Sequence, residues 1–374
     1  MNDLVLVGGG HAHAEVLRRW ALAPLPGVAL HLVTPEPLAP YSGSVPAWLA
    51  GEESSASISI DMAALARAAG ATLHLDSVQA LDPAARQLTL TRGTRLGWRH
   101  LSLNVGSTLE PPAPAGVRVL SMRPLGALRA AWDALRAELA VWPLDRPLRL
   151  AAVGGGAAGF ETVLAVSARL RRERPGLRLQ ARLLSRGPLL PGLAPGAQRA
   201  AARALARAGI ELQLGRSWTE AEAAGTDVML WATGARAHAW QRDPARRGGL
   251  AVDAGGFLAI DRRLRSISHP DIFAVGDCAA WSPALPKAGV YAVRMGPVLS
   301  DNLRAACGAG AWREHEPQAR VLALLATADG RAIAARGGLA TEGRWVLAWK
   351  RHIDRAFLQR YRVADAPRPA PLDA

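Results

Sequence analysis

The stretch from Leu4 to Glu15, LVLVGGGHAHAE, constrains this chain more than any other. Four apolar residues predict a short buried strand, and Gly8, Gly9 and Gly10 then turn the backbone into a helix that opens near His11. Such a turn lets the main chain approach a pyrophosphate, while the helix N-terminus offers free N–H groups and the positive end of its dipole. The plan recurs from Leu148 to Glu161, LRLAAVGGGAAGFE, with Gly154, Gly156 and Gly159 in register. In the first copy His13 stands where the third glycine would allow close helix–strand packing. Recurrence outweighs that departure and predicts two dinucleotide-binding domains in one chain.

Composition narrows the partners. With 374 residues, half of them hydrophobic, the chain can bury two or three cores. No apolar run reaches the roughly 20 residues of a membrane span, and no signal-peptide core is visible, so a cytoplasmic location is expected. Cys278 and Cys307 are the only cysteines and lack CxxC spacing, which excludes a disulfide framework, a dithiol centre and a zinc knuckle. The net charge of +14 comes almost entirely from arginine, scattered among Ala, Pro and Gly; Lys287 and Lys350 are the two lysines. No nucleic-acid recognition motif accompanies that charge, so acidic cofactors and an anionic membrane are the better partners.

Helix His11 to Leu22 leads to a second strand, Val28 to Val33, whose end should carry an acid for ribose hydroxyls. Thr34 stands there, with Glu36 two residues later as a displaced ribose ligand or a solvated loop carboxylate. A turn-rich loop, Pro40 to Pro46, follows. Thr72 to Leu75, Val78 to Leu81 and Gln87 to Thr91 read as a small meander closing on Leu101 to Val105 and Gly106-Ser107. Pro111, Pro112 and Pro114 form a stiff connector.

The second unit then runs through helix Leu125 to Leu139, the second glycine turn, helix Glu161 to Leu170 and strand Leu177 to Leu184. Helix Gly196 to Ala208 and strands Ile210 to Leu214 and Val228 to Trp231 complete it, ending at Ala232-Thr233-Gly234. Its ribose acid is also missing, at Ser185-Arg186, so Arg182 or Arg186 is placed to pair with a 2′-phosphate and favour NADPH. Further on, a strand ends in Gly276-Asp277, whose carboxylate can accept from a ribityl hydroxyl. A long helix, Val290 to Ala305, opens soon after at Gly289, where its N-terminus can face the electron-rich edge of a flavin.

These segments, in this order, resemble the two-dinucleotide-binding-domain flavoproteins, the superfamily of pyridine nucleotide-disulfide oxidoreductases and type II NADH dehydrogenases. GGGHAH (Gly8 to His13), PYSGSVP (Pro40 to Pro46), PKAGVYAVRMGP (Pro286 to Pro297) and WKRHIDRAF (Trp349 to Phe357) are most similar to the family related to the N-terminal half fused to selenide, water dikinase. The resemblance implies an α/β protein with two Rossmann-like domains of the glutathione reductase-like three-layer ββα type, the second inserted in the first, plus a small α+β C-terminal domain. The implied boundaries are 1–110 with 245–308 for FAD, 111–244 for NAD(P)H, and 309–374 for the C-terminal domain.

By the same resemblance Gly8, Gly10 and His11 would hold the FAD pyrophosphate, Asp277 with Gly276 the ribityl chain, and Gly289-Val290 the ring edge; Gly106 and Gly234, at the ends of their units, are cofactor-binding candidates too. Gly154, Gly156 and Gly159 would hold the NAD(P)H pyrophosphate, with Glu161 near the nicotinamide. Glu161, Lys287 and Tyr41 are the catalytic candidates, weighed against a surface lysine at Lys287 and core packing at Tyr41. His11 and His13 point apart and have no metal-ligand partner, so no metal is expected.

In the C-terminal segment, strands Val321 to Ala326, Ala332 to Ala335 and Trp345 to Leu347 precede a helix that sets Trp349, Ile353, Phe357 and Tyr361 at steps of four, among Lys350, Arg351, Arg355, Arg360 and Arg362. That stripe suits an anionic membrane on the inner face, a homodimer contact, or packing over the flavin. The expected activity is hydride transfer from NAD(P)H to FAD and onward to a small-molecule acceptor, a quinone first. The alternatives are oxidation of a sulfide- or selenide-like donor, and a non-catalytic flavin sensor or scaffold.

Overall fold

The computed structural model describes residues 3–363. Strand Asp3–Val7 forms because four consecutive apolar residues, Leu4 to Val7, are at most 2% exposed, covered on both faces as a central parallel strand requires. It lies third in a five-stranded sheet ordered Ile272–Ala274, His100–Leu103, Asp3–Val7, Ala29–Thr34 and Thr72–Leu75, all parallel. The second sheet has the same inner arrangement, Arg118–Ser121, Val228–Trp231, Leu148–Val153, Leu179–Ser185 and Ile210–Leu214, again all parallel, but its outer strand Arg118–Ser121 comes first in the chain where Ile272–Ala274 comes last. Each glycine turn therefore leaves the C-terminal end of the middle strand of its sheet.

Two expected meander strands belong elsewhere. Thr72–Leu75 is an edge strand of the first parallel sheet, and the segment expected at Leu101 to Val105 is His100–Leu103, paired directly with Asp3–Val7. Short apolar runs carry no signal that separates a meander from a buried parallel strand. The real meander is Val78–Asp82, Gln87–Leu90 and Arg95–Gly97. The crossover segments at Thr108 and Arg236 pair with each other through two backbone hydrogen bonds of 2.9 Å, joining the two units.

Beyond helix Gly289–Ala306, strands Ala323–Ala326, Ala332–Arg336 and Leu339–Gly343 form an antiparallel sheet. Trp345 to Leu347, expected as its third strand, instead opens the helix Arg344–Arg360. Gly343 ends the strand immediately before it, so the chain enters the helix sooner than the apolar triplet suggested. Among the described residues no helix is long and apolar enough to cross a membrane.

Candidate functional site

Both glycine turns close in the same way. Gly8 N–H donates to Val33 O at 2.7 Å and Gly154 N–H to Leu184 O at 2.9 Å, pinning each turn to the end of the next strand. Gly8 (φ +100°) and Gly154 (φ +123°) take conformations that L side chains avoid, and a Cβ there would come within 2.4 Å of Asn104 O and 2.9 Å of Ala232 O. Helices His11–Leu22 and Ala157–Glu173 begin with no side-chain cap and no acid in the first turn. Their leading N–H groups and dipole are thus presented to an anion, which fits the pyrophosphate of FAD at one turn and of a nicotinamide nucleotide at the other.

The missing ribose acids have a packing reason. Thr34 and Ser185, at the two strand ends, are buried and turn their hydroxyls toward the middle glycines. A Cβ on Gly9 would meet Thr34 Oγ1 at 3.0 Å, and one on Gly155 would meet Ser185 Oγ at 2.3 Å. Glu36 is exposed two residues past Thr34, with Gly126 close to its Cγ, in a groove lined by Leu38, Val45, Trp48, Ile58 and Leu125. Arg182, weighed for a 2′-phosphate, instead pairs with Glu222 at 2.8 Å and bonds Thr226 at 2.9 Å; Arg186 remains exposed past the strand end.

His13 is a core histidine, fully buried between its helix and strand His100–Leu103. Its Nδ1 lies 2.7 Å from Gly8 O and its Nε2 2.8 Å from Ser102 Oγ, so the neutral ring donates to the carbonyl and accepts from the hydroxyl. Burial lowers its pKa to about 4. Asn104, which sequence reasoning missed, bonds Val275 O at 3.0 Å and lies against Gly10 and Gly276, binding the first turn to the Gly276-Asp277 end.

His11 faces the other way. Its ring stands edge-on to Tyr41 at 5.5 Å and to Phe357 at 5.7 Å, while Tyr41 and Phe357 stack at 4.4 Å. Desolvation lowers the His11 pKa to about 4, opposed by nearby Asp277. Gly289 packs against Ser42 and His11, since a Cβ there would lie 2.6 Å from Ser42 Oγ and 3.9 Å from the His11 ring; Val290 follows in the first helical turn.

The C-terminal helix completes this cluster. Buried Lys350 donates to Gly43 O at 2.6 Å and to Asp354 Oδ2 at 2.8 Å, and Asp354 also faces the Tyr41 hydroxyl. Glu161 accepts from the Ala326 N–H at 2.8 Å. Desolvation raises the Glu161 pKa to about 7, with Lys350 opposing that shift. Desolvation likewise raises Asp354 and Tyr41. Lys350 and Asp354 were not singled out in the sequence as site residues. The signal available was a lysine in an arginine-rich chain with an acid four residues on.

Lys287 lies apart from this cluster. Its ammonium donates to Ala279 O at 2.6 Å and sits 3.7 Å over the Phe257 ring, and burial lowers its pKa. Asp277 accepts from Arg123 and, at 3.4 Å, from Ser107. Gly106 and Gly234 both adopt positive φ at the crossovers, next to the paired Thr108 and Arg236. Cys278 is fully buried with its thiol pushed up to about 11, and both cysteines are free, so neither provides a disulfide centre.

A family model described as pyridine nucleotide-disulphide oxidoreductase matches residues 2–296. Ferroptosis suppressor protein 1 of Taeniopygia guttata is 26% identical over 234 residues, covering 56% of this chain and 57% of that protein, so the chain spans little more than half of this relative's length. Among solved structures, the sulfide:quinone oxidoreductase of Aquifex aeolicus superposes with a TM-score of 0.75 at 15% identity, covering 97% of this chain and 92% of that one. The NDH2 of Plasmodium falciparum, solved with NADH, gives 0.75 at 12% identity over 96% and 97% of the two chains. The water-forming NADH oxidase of Lactobacillus brevis, solved with NADH, gives 0.68 at 21% identity over 90% and 75%.

Proposed function

The chain belongs to the pyridine nucleotide-disulphide oxidoreductase family and is an FAD-dependent oxidoreductase using a reduced nicotinamide nucleotide, and from that premise we propose a quinone as its electron acceptor. When bound, FAD supplies the hydride-accepting and electron-passing chemistry that side chains lack. The uncapped turn at Gly8 to His11 would hold its pyrophosphate and Asp277 its ribityl chain; the turn at Gly154 to Ala157 would hold that of the nicotinamide nucleotide.

One observation carries the choice of acceptor: Glu161, Tyr41 and the Lys350–Asp354 pair, from three separate segments, converge beside His11. Quinone reduction takes up two protons with two electrons, and this cluster holds protons near neutral pH. Glu161, at about 7, is poised to give or take one. Lys350 supplies positive charge beside it and fixes Asp354. A groove reaching Asp354 sets apolar Ala47, Ile58 and Leu358 among polar Glu53, Arg351 and Arg355, so a ring entering there would meet both apolar and hydrogen-bonding walls. The outer face of the C-terminal helix, with exposed Trp345 and Trp349 among arginines, would meet an anionic membrane, where quinones dissolve.

Anaerobic titration with NADH and then NADPH, followed at the flavin absorption band, tests the first half-reaction; adding a short-chain quinone tests the second. We expect rapid bleaching and rapid recovery of colour. Glu161→Gln should slow the recovery about tenfold to a hundredfold and remove an inflection near pH 7 from its pH profile. A flavin that neither nucleotide bleaches, or that quinone does not reoxidise, would overturn the reading.

A further inference from the structure

Arg123 lies in the nucleotide-binding unit, just past strand Arg118–Ser121, yet its guanidinium crosses into the other unit. Nη1 donates to both Ser107 Oγ and Asp277 Oδ2, and Nη2 donates to Lys287 O at 3.3 Å. The side chains of Arg123 and Asp277 are 28% and 14% exposed, so the pair is well shielded from solvent. Its base is fixed: Ser121 Oγ donates to Arg123 O at 2.7 Å, and Met122 N–H to Trp231 O at 3.0 Å.

We propose that Arg123 is a positioning residue of the FAD site, contributed by the nucleotide-binding unit. The inference rests on the reading of Asp277 as the ribityl ligand. Both hydrogen bonds to Asp277 fall on Oδ2, which leaves Oδ1 to accept from a ribityl hydroxyl. An ionised carboxylate held from one side by a planar guanidinium keeps a single orientation, and the hydroxyl it receives is placed accordingly. The third contact, to Lys287 O, anchors the segment leading into helix Gly289–Ala306, whose uncapped N-terminus points toward the same region. One side chain thus sets the carboxylate and the approach to the helix end together.

The experiment begins with wild-type flavin content after purification and the FAD dissociation constant of the apoprotein by flavin fluorescence. Arg123→Ala should weaken FAD by about ten- to a hundredfold, the range of a charge-assisted hydrogen bond. Arg123→Lys should recover part of that loss. Asp277→Ala alone and Asp277→Ala with Arg123→Ala should weaken FAD equally, because Arg123 acts through Asp277. Thermal unfolding of each apoprotein separates binding from folding. Unchanged FAD affinity in Arg123→Ala, whatever its melting temperature, would overturn the proposal and leave Arg123 as a clasp between units. A wild-type protein that binds no FAD would instead sink the underlying reading.

Discussion

His13 shows how a nucleotide turn manages without its third glycine. In the second unit a Cβ on Gly159 would lie 1.9 Å from Gly154 O, so the helix packs directly on the turn. In the first, the His13 ring reaches the equivalent carbonyl, on Gly8, with its Nδ1. That substitution has a pH signature. The folded-state pKa is lowered from 6.5 to about 4, so the contribution is complete above about pH 6.5 and is lost as pH falls through 4. Its ceiling is about 3 kcal/mol. Urea unfolding at pH 7 and pH 4 should show a steeper loss in the wild type than in His13→Gln.

The glycines of the second turn differ in what surrounds them, and their substitutions should separate fold from ligand binding. Gly159→Ala forces backbone apart and should cost several kcal/mol of stability. Gly156→Ala meets nothing within 4 Å; it should leave the melting temperature nearly unchanged while weakening nicotinamide nucleotide binding about tenfold or more, as calorimetric titration would read. Glycine turns are legible in a sequence because their requirement is local. Asn104, Arg123 and Lys350 are not, since each acquires its meaning from a partner more than a hundred residues away.

The C-terminal helix shows what a periodic stripe can and cannot tell. Steps of four correctly group Phe357 and Tyr361, which turn inward, Phe357 onto Tyr41 and His11. Trp349 has rotated off that face, stacked with Trp345 at 6.3 Å, and both are exposed. A stripe at exact steps of four drifts around a helix of 3.6 residues per turn, so its two ends face different surroundings. Pairing Trp345→Ser with Trp349→Ser should abolish sedimentation with vesicles rich in phosphatidylglycerol and leave the flavin spectrum unchanged. The wild type should bind those vesicles in preference to purely zwitterionic ones.

For the molecule as a whole, two five-stranded parallel units, each with its glycine-turn strand in the middle, are joined by crossovers that bond to each other at Thr108 and Arg236. Thr108→Pro removes the N–H that reaches Arg236 O and should lower stability by about 1–3 kcal/mol. In calorimetry the coupling between the two units should loosen, seen as a broadened or split transition. The layering was readable in advance because two glycine turns, each after an apolar strand, impose it. The contact between units was not, because the crossover glycines Gly106 and Gly234 reveal turns and say nothing of what those turns touch.

The first sheet takes strand Ile272–Ala274 from beyond the inserted unit, which itself is contiguous in the chain. During synthesis the inserted sheet can therefore close while the first still lacks an edge, because domains fold as their segments emerge. Asp277 follows directly on that last strand, so the carboxylate proposed to receive the flavin is delivered only when the first sheet is finished. On that proposal, cofactor capture would come late in the protein's maturation, in chains that have already built their nucleotide-binding half.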